Sequence, residues 1–321
     1  MKKVFLVLMM ALMFCACSNA AQQSDDERIQ VVTTIFPEFD WVRNIAGDKA
    51  ADMEITMLLD NGVDLHSYQP TADDVMKISN CDLFIYVGGE SDEWVDDALE
   101  QAKNKDMIVL DLLDILGDKA KLEEHVEGME EEHGEEEHEE EEEEYDEHVW
   151  LSLNNAAVLC EKIEEALSGI DKENASYYKE NLNTYLEKLN GLDKEYKEVL
   201  KNAKGDTLVF ADRFPFRYLC DDYDLHYYAA FAGCSAETEA SFDTVIFLAK
   251  KVDELSLKSV MVLEKTDHRI ARTIIDNTAG KDHKIIELNS LQSVTSKDVE
   301  DGASYFEAMK ENLVGIKEAL D

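Results

Sequence analysis

His66, in LLDNGVDLHSYQPTADD, and His148, in DEHVWLSLNNA, are the residues of this chain best suited to holding an ion. A neutral imidazole nitrogen is a good ligand for zinc, copper or nickel. His66 follows a run that reads as a strand and sits in a loop of turn residues ahead of a helix. His148 stands where a run of glutamates gives way to apolar sequence, again at a helix entry. Strand-to-helix loops at the carboxyl edge of a parallel sheet are where α/β proteins place their sites. Two loop histidines of this kind point to one divalent-cation site between two parts of the fold.

The glutamate run bears on the same chemistry. Residues 123–150 read EEHVEGMEEEHGEEEHEEEEEEYDEHVW, with His125, His133 and His138 interleaved ahead of His148. From Glu123 to Glu147 there are 17 acidic residues and no basic one. A like-charge block of this kind is solvated and expected to be disordered. It is either an inert loop or, as the imidazoles favour, a weak and flexible collector of cations. Deleting residues 123–146 is then expected to remove weak sites and leave a tight one intact. Taking the run's −17 from the chain's −41 leaves −24, so the remainder is acidic too. Phosphates would be repelled, which argues against a nucleic-acid partner.

The elements that must position these residues follow from pattern. Hydrophobic residues make up 45% of the 321, enough for a sizeable core despite the charge. IQVVTTIF, MEITMLL, DLFIYVGG and DMIVLDLL read as strands, separated by helical FDWVRNIAG, TADDVMKISNC and SDEWVDDALEQAKN. Thr71 with Asp74, and Ser91, supply helix starts. The alternation repeats after residue 205 with TLVFADRF, LHYYAAF, SVMVLE and KIIELNS as strands. Two α/β lobes with parallel sheets are expected, over 29–170 and 205–321, with no sequence repeat between them. Between them, residues 171–204 carry Leu182, Leu186, Leu189, Leu192, Tyr196 and Val199 on one helical face. That predicts a single linking helix of about 30 residues and roughly 45 Å, capped by Asp171 and ended by Gly205.

Residues 1–17 read as an export signal, with Lys2 and Lys3 ahead of an apolar run too short to span a bilayer. Ala16-Cys17 resembles a bacterial lipobox, although Phe14 and Cys15 depart from the usual residues. Cys17 is accordingly the expected lipidated residue and 18–28 a tether. Cys81, Cys160, Cys220 and Cys234 form no CxxC pair, which removes zinc-ribbon and thioredoxin-like readings. There is no HExxH, GxSxG, P-loop or GxGxxG; YVGGESDE has glycines without the required spacing.

LLDNGVDLHSYQPTADDV with DLFIYVGG, DEHVWLSLNNA, DKENASYYKENLNTYLEKL and GASYFEAMKENL together resemble the zinc/manganese-binding lipoproteins of bacterial ABC importers, from about Ile29 onward. The resemblance implies two α/β lobes joined by one long helix, with His66 and His148 as metal ligands. An acidic histidine-rich loop ahead of the second histidine is usual in the zinc members. The family's third ligand, a histidine or glutamate, comes from the first strand of the second lobe. Arg213 occupies that place here, and a guanidinium stays protonated and cannot ligate. Asp212 is the nearest usable group. The family's fourth ligand corresponds to Asn289. In FAGCSAETEAS, Cys234, Glu237 and Glu239 are offered together, with Glu237 the candidate to compensate, as ligand or as partner of Arg213. Cys234 reads equally as a small buried residue.

The expectation is therefore a monomeric, lipid-anchored solute-binding protein on the outer face of the cell membrane. It would hold Zn2+, with Mn2+ the alternative, through His66, His148, Asp212 and Glu237, and pass it to a membrane permease without catalysis. Asn289, His125, His133 and His138 are auxiliary candidates. An exported zinc-dependent hydrolase, or a siderophore- or cobalamin-binding protein of the same architecture, is the alternative.

Overall fold

The computed structural model describes residues 28–129, 144–235 and 239–321. The signal segment with Cys17, the histidines His133 and His138, and Glu237 lie outside them. The first lobe is built from strands β1 (Ile29–Thr33), β2 (Met53–Met57), β3 (Leu83–Tyr86) and β4 (Ile108–Asp111). Helices α1 (Phe36–Ala46), α2 (Ala72–Asn80), α3 (Trp94–Glu100), α4 (Leu112–Leu116) and α5 (Leu153–Ile170) belong with them. Thr71 caps α2 through a reciprocal pair of hydrogen bonds with Asp74, as its sequence suggests. After α6 (Ala175–Lys201), the second lobe has β5 (Thr207–Arg213), β6 (His226–Phe231), β7 (Ser259–Leu263) and β8 (Lys284–Leu288). Its helices are α7 (Arg217–Asp222), α8 (Phe242–Glu254), α9 (Arg269–Asn277), α10 (Ser296–Glu300) and α11 (Tyr305–Leu320).

Both sheets are wholly parallel, and both have the same order, β2-β1-β3-β4 and β6-β5-β7-β8. The strands are short β-branched runs buried on both faces, as in Val31, Val32, Val260 and Val262, because helices cover both sides. The lobes are thus the same topology twice, although their sequences share no repeat.

The linking helix is 27 residues long, about 40 Å. It starts later than Asp171, because that carboxylate is used in the preceding turn: it accepts from the Asn174 side chain and the Tyr178 hydroxyl, each at 2.7 Å. It ends at Lys201 with Asn202 as its cap, and Gly205 instead donates its N–H to Leu320. One face, with Tyr178, Leu182, Tyr185, Leu189, Leu192 and Tyr196, is buried.

The lobes meet through a shared core as well as through α6. Trp150 Nε1 donates to the Ser290 carbonyl at 2.8 Å, and the Tyr305 hydroxyl donates to the Trp150 carbonyl at 2.6 Å. The Tyr305 N–H reaches Asp40 Oδ2, and its ring packs edge-on against Trp41 with centroids 5.2 Å apart.

The two ends of the acidic run are ordered, contrary to the expectation of a wholly solvated loop over 123–147. Leu122 and Tyr145 form an antiparallel bridge, flanked by Glu123 N–H to Glu144 O and Asp146 N–H to Lys121 O, both 2.8 Å. Residues 121–129 then lie along the second lobe as a strap. Lys121 pairs with Asp221 at 2.7 Å, Glu124 accepts from the Tyr227 hydroxyl at 2.9 Å, and Met129 is buried.

Candidate metal centre

The site forms where the carboxyl ends of the two sheets face each other, the position at which parallel sheets present their loops. His66 lies in the 3-10 helix Leu65–Ser67 that follows β2, and its N–H donates to the Asp64 side chain that caps this turn. Its Nδ1 is 2.8 Å from Ser91 Oγ and 3.3 Å from Glu147 Oε2. Ser91 and Glu147 are themselves tied, with the Ser91 N–H donating to Glu147 Oε1 at 2.8 Å.

The glycines after β3 make that arrangement possible. Gly88 and Gly89 have φ of +88° and +80°, a region that costs other residues strain. A Cβ on Gly89 would stand 2.5 Å from Glu147 Oε1. The GG of DLFIYVGG is therefore the turn that lets Glu147 and Ser91 reach the back of the His66 ring.

His148 is fully buried at the start of the 3-10 helix Val149–Leu151, which leads into α5. Asp146 Oδ1 accepts both its backbone N–H and its Nδ1, each at 2.9 Å. Behind the ring lies Gly233 of the second lobe, where a Cβ would meet His148 Cε1 at 3.1 Å. With Nδ1 of each ring engaged by oxygens, the two Nε2 atoms are left facing each other, 3.3 Å apart. Bonds of 2.0–2.1 Å to a tetrahedral zinc put two ligand nitrogens about 3.3 Å apart. The rings are thus spaced as two ligands of one ion, with the far nitrogen of His148 on the Asp146 carboxylate and that of His66 on the Ser91 hydroxyl, the Glu147 carboxylate standing beside it at 3.3 Å.

A third group completes a cluster. Among the described residues, His66, His148 and Cys234 offer ligand atoms that all lie within 4.8 Å of one another. Cys234 sits on the loop after β6, and its N–H donates to Glu123 Oε1 at 2.8 Å. Burial pushes its thiol well up, and the negative charges of Glu123, Asp146 and Glu147 push the same way. Burial also works to raise Glu147, but the His66 ring and the Ser91 donors outweigh it and hold that carboxyl below its usual range.

Of the two acids expected from sequence, Asp212 alone lies among the described residues, and it is placed differently. Asp212 Oδ1 accepts from the Arg213 N–H at 3.0 Å, its Oδ2 faces the Leu263 N–H at 3.5 Å, and burial raises its pKa. It is not part of the cluster. The Arg213 guanidinium crosses the cleft to Asp64 Oδ2 at 2.6 Å, so its carboxylate partner among the described residues is an acid of the first lobe. Asn289 is occupied by structure: Oδ1 accepts from the Leu291 N–H, and its backbone exchanges two hydrogen bonds with the Asn312 side chain on α11. His125 is exposed on the strap, outside the cluster, and Glu239 is exposed near Arg269. Sequence reasoning missed Asp146, Glu147 and Ser91 as partners of the imidazoles and ranked Cys234 below Glu237.

Against known proteins, residues 31–319 match the family described as "ZnuA: Zinc-uptake complex component A periplasmic". The chain is 33% identical to the zinc-binding lipoprotein AdcA of Streptococcus pneumoniae over 327 residues, covering all of this chain and 62% of that protein. It is 29% identical to the high-affinity zinc uptake system protein ZnuA of Bacillus subtilis, covering 99% of this chain and 97% of that one. The Zn(II)-bound ZnuA-like domain of S. pneumoniae AdcA superposes with a TM-score of 0.70 at 28% identity, over 92% of this chain and 99% of that domain. The metal-dependent lipoprotein YcdH of B. subtilis superposes with a TM-score of 0.72 at 26% identity, over 91% and 99%.

Proposed function

The chain belongs to the ZnuA family of zinc-uptake components, and from that premise we propose that it captures Zn2+ outside the cytoplasm and delivers it to the permease of an ABC importer. It holds its cargo and does no chemistry on it, in keeping with a family of transport components rather than enzymes. The observation that carries the reading is the pair of imidazole Nε2 atoms 3.3 Å apart, the His148 ring held from behind by Asp146 and the His66 ring by Ser91 with Glu147 alongside. That geometry suits zinc. It also gives the paired histidines a role that a siderophore or cobalamin site would leave empty.

Capture proceeds between lobes that the Trp150 and Tyr305 contacts hold together, so the ion enters by local movement of the ligand loops. The acidic surface raises the local concentration of cations near the cleft. We further propose a lipid anchor at Cys17 and a monomeric protein, both resting on the sequence and, for the anchor, on relatives named as lipoproteins.

Metal analysis and chelator competition on the purified mature chain test the reading. One tight zinc per chain is expected, and zinc should raise the melting temperature of wild type but not of His66→Ala or His148→Ala. Tight binding that survives loss of both histidines would overturn it.

A further inference from the structure

We propose that Cys234 is the third protein ligand of the cargo ion, bound as a thiolate, and that Glu123 of the strap positions it. The inference rests on the zinc-capture reading and adds to it the chemistry of the second lobe's contribution. Two imidazole nitrogens from the first lobe and one sulfur from the second lie within 4.8 Å of one another. Without Cys234, no Asp, Glu, His or Cys of the second lobe joins this cluster among the described residues.

Two features bring the sulfur there. Gly233 has no Cβ, so the loop after β6 can press against both the Phe214 carbonyl and the His148 ring, which a Cβ would meet at 2.9 and 3.1 Å. Glu123 then accepts the Cys234 N–H at 2.8 Å, tying a loop of the second lobe to a strap that begins in the first. On binding, the thiol proton leaves to solvent as the metal–sulfur bond forms, with no change of oxidation state. A thiolate is a soft ligand that favours zinc over manganese, so this residue sets cargo choice.

Cobalt(II) loading of the mature chain tests the proposal, because a thiolate bound to cobalt gives a charge-transfer absorption that imidazole and carboxylate do not. Wild type should show that band, and Cys234→Ser should lose it. Cys234→Ser should also weaken zinc by more than the ~10–100-fold typical of losing an outer hydrogen-bond partner, with manganese little affected. Zinc should protect Cys234 from iodoacetamide; Cys81, Cys160 and Cys220 are buried and serve as the background. Glu123→Gln keeps an acceptor oxygen and should behave as wild type. Glu123→Ala should weaken zinc and speed alkylation of the metal-free protein, a pairing that a purely structural role for Glu123 would not give.

Wild-type zinc affinity in a folded Cys234→Ser protein, together with no charge-transfer band in wild type, would overturn the proposal. If His66→Ala still abolishes binding in that case, zinc capture stands without the thiolate. If the histidine variants bind normally as well, the capture reading itself falls.

Discussion

Asp146 grips His148 twice, taking the backbone N–H and the ring Nδ1 on a single oxygen at 2.9 Å each. The carboxylate therefore sets both where the residue sits and which nitrogen faces the cleft. Asp146→Ala should lower zinc affinity about 10–100-fold, the usual effect of removing such a partner. Chelator competition checks this, and unchanged affinity would mean that packing alone orients the ring.

Gly89 carries the second test. Gly89→Ala adds both a strained φ, worth about 1–3 kcal/mol, and a collision with Glu147 Oε1. Gly117→Ala is the control, because Gly117 has φ of +50° but open space around its Cα. Both variants should melt lower than wild type. Only Gly89→Ala should also lose zinc affinity, through displacement of Glu147 from His66.

A third expectation concerns pH. Burial, with a smaller contribution from the Glu147 charge, raises Asp92 to about 7, against the N–H donors of Gly88 and Val87 that lower it. A raised folded-state carboxyl binds more protons than the unfolded chain between the two pKa values. Stability from this group is therefore lost as pH climbs from about 4 to about 7. Asp92→Asn should flatten the fall in metal-free melting temperature over that window. A slope equal to that of wild type would show that Asp92 titrates normally.

The acidic run can now be cut more finely than its composition allows. Deleting residues 130–143 should remove weak zinc sites and leave the tight one, because every described contact to the imidazoles lies outside that interval. Deleting 123–146, expected from composition to spare the tight site, should instead weaken it by at least the ~10–100-fold of losing Asp146, because it takes Asp146 from His148 and Glu123 from Cys234. Calorimetric titration of the two deletions separates these outcomes.

The two lobes and both histidines were legible because strand runs, helix starts and turn-rich loops are local patterns. Asp212 was not, because the side of a strand on which a residue falls depends on register. The β5–β6 ladder shifts register between Phe210 and Arg213, and a one-residue slip reverses which side chain faces the cleft. Asp146 and Glu147 were hidden inside a charge run, although they flank the strongest histidine in it. The strap had a readable trace in Val126 and Met129, apolar residues early in the acidic stretch that pack at the core's margin. Cys234 had no periodicity to mark it; only its neighbour Gly233, at the end of a buried strand, hinted at close backbone approach.

The contact between Asp40 and Tyr305 closes a loop across 265 positions of the chain. Trp41 and Trp150, deep in the first lobe's core, have the Tyr305 ring and hydroxyl as partners, so that core is sealed by the last helix. Completing the first lobe's core therefore requires a contact of very long sequence separation, the kind of closure that slows folding. A chain emerging amino-end first would hold Trp41 without its Tyr305 partner until the last helix is made. The shared core that holds the lobes together in the finished protein thus makes their assembly one cooperative event rather than two.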